Sequence, residues 1–215
     1  MPETKEKKKR TPRKLPKVLS REQVQKILDQ INPELKTGLQ KRVIIEVLWR
    51  AGLRVGEVCD ITVDDVNLEE CYLFVQEGKG GVDRMVPIDA DTIFWLKKWQ
   101  AIRAESEYFF CTFKGTRMSE VYVRQMIGRI SKKAGVYLRN GRERKRPHPH
   151  TFRHTCFTEC LEEGLNIREI QQLAGHKNLS TTSVYLSVRP EALKEKIQAR
   201  RRPIIGESRN DESRV

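Results

Sequence analysis

Gly52, Gly135, Gly164 and Gly175 each stand where a stretch of helical apolar spacing runs out. Glycine ends helices readily because it enters the left-handed conformation without a Cβ penalty. These four positions therefore cut the chain into short helices joined by tight turns. The first helix is signalled by Ser20-Arg-Glu-Gln23, a capping-box pattern, and runs through about Ile31. A second is predicted over 35–49, where Val43, Ile44, Val47 and Leu48 recur at helical spacing; Gly52 stops it, and a short helix over 55–61 follows. Residues 71–76 and 83–88 read as strands joined by Glu77-Gly-Lys79-Gly-Gly, a β-hairpin with a glycine-rich tip. Further helices are predicted over 89–104, 119–134, 151–163, 167–174 and 190–200, with a basic loop over 139–148. The fold class is α+β: mostly α with one small antiparallel β-sheet.

Hydrophobic residues make up 38% of the 215, enough for a real core. Lysine and arginine number 42 against 29 aspartates and glutamates, a net charge of +13, so a polyanion is the natural partner. Nucleic acid fits better than anionic lipid. Residues 1–15 form a basic arm broken by prolines, either lying along phosphates or simply solvated; 16–202 are the folded domain, and 203–215 a polar, disordered tail. No apolar run approaches the ~18–20 residues of a membrane span, and no secretory leader pattern is seen. Five cysteines without a CxxC pair read as reduced thiols. The expected location is the cytoplasm, in association with the nucleoid.

The chemistry-bearing residues cluster. His150-Thr-Phe-Arg153-His154 is followed by Gly175-His176 and then Tyr185, while Arg54 and Glu57 stand upstream beside Gly52. Two arginines, two histidines and a phenol suit the handling of one phosphodiester. Paired guanidiniums can hold the non-bridging oxygens as they gain charge. The phenol can attack phosphorus, and a cation such as Lys79 on the hairpin tip can protonate the leaving oxygen. Glu57, one helical turn beyond Arg54, can hold that guanidinium. Arg153 is expected on the first turn of its helix, beside the partial positive charge that favours phosphate. The histidines His148, His150 and His154 with Cys156 and Cys160 match no familiar four-ligand spacing, so no metal site is expected. Trp49, Trp95 and Trp99 are assigned to packing.

Arg54-Val-Gly-Glu57, Gly78-Lys79-Gly80, His150-Thr-Phe-Arg153-His154 and Leu173-Ala-Gly-His176 with Thr181-Thr182 before Tyr185 together resemble the tyrosine recombinases, or phage integrase family. The resemblance spans roughly residues 17–200. It implies a site-specific recombinase that cleaves and rejoins DNA through a 3′-phosphotyrosyl link, with no metal, ATP or other cofactor. By resemblance Tyr185 is the nucleophile, Arg54 and Arg153 are the phosphate clamps, and Lys79 is the general acid. His150 assists proton transfer at the tyrosine, His176 bonds the phosphate, and Glu57 is the orienting acid. Relatives commonly carry a helical core-binding domain of about a hundred residues ahead of this region, so the chain is either a separate catalytic domain or a short member. A nicking-closing activity of the type IB topoisomerase kind, or a DNA-binding decoy that does not cut, are the alternative readings.

The partner expected is double-stranded DNA, contacted by Lys79 and by Arg142, Arg144, Lys145 and Arg146 of the basic loop, which otherwise is a solvated loop. The chain is expected to be a monomer when free and a homotetramer on DNA. Residues 190–202 form an amphipathic segment with Leu193 and Ile197 on one face, which docks either on a neighbouring protomer or on its own core.

Overall fold

The computed structural model describes residues 17–76, 83–140, 143–175 and 197–198. Helix α1 (Arg21–Leu28) is opened by Ser20, whose Oγ accepts from the Gln23 amide while the Gln23 side chain accepts from the Ser20 amide. It buries Val24, Ile27 and Leu28. Helix α2 (Lys36–Glu46) runs on into one π-helical turn, Val47–Ala51, whose five residues are all buried. Gly52 ends that turn in the left-handed conformation (φ 65°), and α3 (Val55–Asp60) follows.

The sheet has three antiparallel strands in the order β1 (Val66–Asn67), β2 (Tyr72–Val75) and β3 (Arg84–Pro87). Strands β2 and β3 are the two predicted, paired with Leu73 opposite Val86 and Val75 opposite Arg84. Strand β1 was not predicted, because two residues are too few to show alternation. Helix α4 (Ala90–Ile102) is capped by Asp89, which accepts from the Thr92 amide; α5 (Glu120–Lys133) is capped by Ser119, which accepts from the Tyr122 amide.

The predicted basic loop after α5 is partly a two-stranded ribbon, β4 (Leu138–Asn140) against β5 (Glu143–Lys145). Pairing there satisfies backbone groups that a loop would leave to water. Helix α6 (Pro149–Glu162) starts two residues earlier than predicted. Proline is well suited to the first helical position, where its missing N–H has no partner to lose. Helix α7 (Ile167–Ala174) is opened by Asn166 and closed by Gly175. Of the predicted helix over 190–200, only residues 197–198 are described; they are helical, and Ile197 is buried in the chain's own core.

One continuous core holds these elements. Helix α6 packs along the π turn and α2 packs on α4. Trp49, Trp95 and Trp99 are all buried; Trp99 Nε1 donates to the Phe109 carbonyl at 2.9 Å and Trp49 Nε1 to Glu159 at 3.1 Å. All five cysteines are free thiols, four of them buried. Arg50, in the π turn, is locked by Glu46 at 2.8 Å, Asp89 at 2.7 Å and Asp91 at 2.8 Å. This buried group ties the end of α2 to the start of α4 and uses up the charge of Arg50 internally. Among the described residues no helix is long and apolar enough to cross a membrane.

Candidate active site

The π turn and Gly52 decide where the chain goes next. Added at Gly52, a Cβ would lie 2.8 Å from the Phe157 ring and 3.2 Å from Cys156 Sγ, so α6 passes directly against this backbone. That close approach lets the Gly52 carbonyl accept from Arg153 Nη1. Two residues on, Arg54 precedes α3, and Glu57 in the first turn accepts from the Arg54 amide at 2.7 Å. The same carboxylate accepts from Arg54 Nη1 at 2.6 Å through its other oxygen.

Glu57 is the hub of the site. Besides Arg54 it receives Arg84 Nη2 at 2.9 Å and faces Arg153 Nη1 at 3.9 Å. Three guanidiniums thus converge on one carboxylate from the π-turn exit, from β3 and from α6. Among the described residues the balance at this carboxylate is three cations to one anion, an excess of positive charge suited to a phosphate.

The three arginines share a second set of acceptors. Arg84 Nε donates to the Leu173 carbonyl at 3.0 Å, Arg153 Nη2 to Ala174 at 2.5 Å, and Arg54 Nη2 to Gly175 at 3.0 Å. These are consecutive carbonyls at the C-terminal end of α7, where the last turn of a helix lacks intrahelical partners and carries partial negative charge. The arginine cluster therefore caps α7 and fixes the point from which His176 follows. Gly175 makes this possible: its φ is 61°, and an added Cβ would stand 2.9 Å from Arg84 Nη1. Gly175→Ala is expected to cost about 1–2 kcal/mol from the left-handed backbone alone. A lowered urea midpoint at unchanged slope checks this; an unmoved midpoint refutes it.

Exposure separates the roles. The Arg54 side chain is 31% exposed, whereas those of Arg153, Arg84 and Glu57 are 5%, 6% and 9% exposed. Arg54 can meet an incoming oxyanion first, and the others form its base. Burial would push the Glu57 carboxyl up, but the bond and charge of Arg84, the Arg54 amide and the charge of Arg153 outweigh it and hold it below the usual carboxylate range. Burial, with Arg54 and Arg84 adding to it against Glu57, pulls Arg153 down to about 10, which leaves it charged at neutral pH.

Arg153 lies on the second turn of α6, not the first as expected, because α6 begins at Pro149. Its guanidinium donates to the Gly52 and Ala174 carbonyls and stacks over the Phe157 ring at 4.7 Å. His150, itself exposed, stands on the first turn of α6, its ring 6.1 Å from that of His148. Burial first, then neighbouring charge (His150, His154 and Arg124 for His148, His150 and Arg153 for His154), lowers both flanking histidines and favours their neutral forms.

The structure thus brings Arg54, Glu57 and Arg153 together and puts His150 one turn before Arg153. Lys79, Arg142, His176 and Tyr185 lie outside the described residues. Arg144, Lys145 and Arg146 are exposed at and beyond β5, with Lys145 3.4 Å from Glu143. Sequence reading missed Arg84. The signal was there: Arg84 falls on the same strand face as Val86, and an arginine in the apolar set of a strand needs a buried partner.

Residues 17–192 match the phage integrase family. The tyrosine recombinase XerA of Pyrococcus horikoshii is 36% identical over 191 residues, covering 87% of this chain and 62% of that protein. The chain therefore spans less than two thirds of the length of that relative. The crystal structure of XerA recombinase superposes with a TM-score of 0.66 at 29% identity, over 89% of this chain and 68% of that one. XerH site-specific recombinase bound to its difH substrate, in a pre-cleavage complex, gives a TM-score of 0.63 at 25% identity, over 76% of this chain and 48% of that one.

Proposed function

This chain belongs to the phage integrase family, and on that premise we propose that it is a site-specific recombinase that cleaves and rejoins DNA strands through a 3′-phosphotyrosyl intermediate. The observation that carries this reading is the convergence of Arg54 and Arg153, with Arg84, on Glu57. In this reading a scissile phosphate sits on the exposed side of Arg54, where the excess positive charge offsets the negative charge that grows on the non-bridging oxygens. The Tyr185 oxygen attacks phosphorus, and its proton passes towards His150. The bond from phosphorus to the 5′ oxygen breaks, and Lys79 protonates that oxygen. His176, next after the capped end of α7, bonds the same phosphate. A 5′ hydroxyl from a partner strand then attacks the phosphotyrosyl ester and releases Tyr185. One phosphoester replaces another at each step, so the bond energy is conserved and no ATP or metal enters.

Double-stranded DNA is the substrate, with XerH bound to difH supplying a structural likeness in that state. Arg142, Arg144, Lys145 and Arg146 would contact its backbone, and the chain would act as a homotetramer on DNA and be monomeric when free. Phosphate contacts of this kind make affinity fall steeply with added salt.

A duplex with a nick beside the scissile phosphate tests the reading, because the short leaving strand diffuses away and the covalent complex accumulates. The expected result is a protein–DNA band that survives denaturant and is undiminished by EDTA. No such band from the intact chain would leave DNA binding without cleavage. A band without strand exchange would narrow the activity to nicking and closing.

A further inference from the structure

Arg84 is given no step of its own in the chemistry just described, yet it is a buried contact between three elements of the site. It is the first residue of β3, opposite Val75, and follows Lys79 by five positions in the sequence. Its side chain is 6% exposed, as enclosed as that of Arg153. Through Nη2 it holds Glu57 at 2.9 Å, and through Nε it holds the Leu173 carbonyl at 3.0 Å. Its guanidinium also fills the space at Gly175 that a Cβ would take, with Nη1 2.9 Å and Cζ 3.1 Å from that position. One side chain thus spans the acid that orients Arg54 and the last turn of the helix that leads to His176.

We propose that Arg84 is a positioning residue for DNA cleavage: it neutralises Glu57 from the buried side, so that the charge of Arg54 and Arg153 stays available to phosphate, and it sets the exit of α7.

The charge argument follows from the count of groups. Glu57 faces Arg54 at the exit of the π turn, Arg84 from β3 and Arg153 from α6. Helix α5 also packs against α3, and there Glu120, paired with Arg124, lies beside Gly56. Counted over these four described groups the net charge is three minus one, or +2, and without Arg84 it falls to +1. Without it, the carboxylate must be balanced by the residues that are to hold phosphate. The geometric argument is separate. A lysine supplies the charge at one point but does not reproduce the planar fork that reaches Glu57 and the Leu173 carbonyl through two separate nitrogens.

The inference rests on the recombinase reading, and one experiment distinguishes the two. Arg84→Met and Arg84→Lys are compared with the parent chain on the nicked duplex, in single turnover at saturating DNA and across pH. For Arg84→Met the cleavage rate is expected to fall on the order of 100-fold, the size of effect a misplacement of about 1 Å can have. The half-saturating DNA concentration is expected to stay within about threefold, because a buried cation contributes little to backbone contacts. Loss of Arg84 leaves the burial of Glu57 less compensated, so its carboxyl protonates at higher pH and the acid limb of the rate profile moves up. Arg84→Lys is expected to recover part of the rate with its acid limb nearer to that of the parent. A parent chain that cleaves beside an Arg84→Met chain that cleaves equally fast overturns the inference alone. So does a slow Arg84→Met chain whose acid limb has not moved, which marks a packing role only. If Arg84→Met does not fold, a parental rate for Arg84→Lys overturns the positioning role, and a reduced one supports it. A parent chain that forms no covalent complex overturns the underlying function and this inference with it.

Discussion

Tyr185→Phe is expected to abolish the covalent protein–DNA band on the nicked duplex while leaving DNA affinity within about tenfold, or ~1.4 kcal/mol. The substitution removes one oxygen and keeps the ring. If that oxygen forms the bond to phosphorus, no other group supplies the covalent link, and removing a nucleophile typically costs on the order of 10⁴-fold or more. In the proposed reading binding rests on other groups: the Arg54 and Arg153 cluster, the exposed Arg144, Lys145 and Arg146, and the net charge of +13. A denaturing gel reads the first quantity and a salt-controlled binding titration the second. A persistent band would mean that a different side chain attacks. A loss of affinity much beyond tenfold would make Tyr185 a structural residue.

The second large effect is on stability. Glu57→Gln is expected to destabilise the chain by about 2–3 kcal/mol at pH 7. Removing one partner of a buried ion pair generally costs 3–5 kcal/mol because the remaining charge stays buried. Here the figure is reduced, since Arg54 is partly exposed and screened. Arg84 and Arg153 keep their carbonyl acceptors but lose the carboxylate between them. The effect has a definite pH dependence. The Glu57 carboxyl is held below its ordinary value of 4.5 in the folded chain. Its contribution is therefore fully present above about 4.5 and drains away as pH falls through the lower folded value. The stability gap between the two chains should be widest near neutral pH and close in acid. Urea titrations at pH 7 and at stepwise lower pH measure it; equal stability at pH 7 would show that Glu57 is not the hub of the cluster.

Local signals in the sequence were sufficient for most of the fold. The capping box at Ser20, the glycine ends and the alternation in β2 and β3 act over a few residues, and each element forms where such a signal stands. The site was legible to the extent that it is carried by motifs: Arg54, Glu57 and Arg153, each singled out by its motif, lie together in the fold. What could not be read was tertiary. Arg84 meets Glu57 across 27 positions and the Leu173 carbonyl across 89, and no local pattern encodes either distance. Arg153 was expected to use a helix N-terminus for phosphate, but the close packing of α6 on Gly52 aims it at backbone carbonyls instead. The ribbon β4–β5 was hidden because its residues are mostly charged, and strand pairing there rests on backbone groups alone.

The π turn at Val47–Ala51 has a consequence for how this chain tolerates length changes. Such a turn closes its bonds one residue further on than an α-helix does, so its five residues carry the chain about as far round the axis as four would in an α-helix. Losing one residue here would let the turn close as ordinary helix and still release Gly52 and Arg54 in nearly the same direction. Losing one from Lys36–Glu46 instead would swing everything downstream by about 100° and carry Arg54 and Glu57 away from Arg84 and Arg153. Slack in length is thus held at the end of the rod, next to the residue whose aim matters.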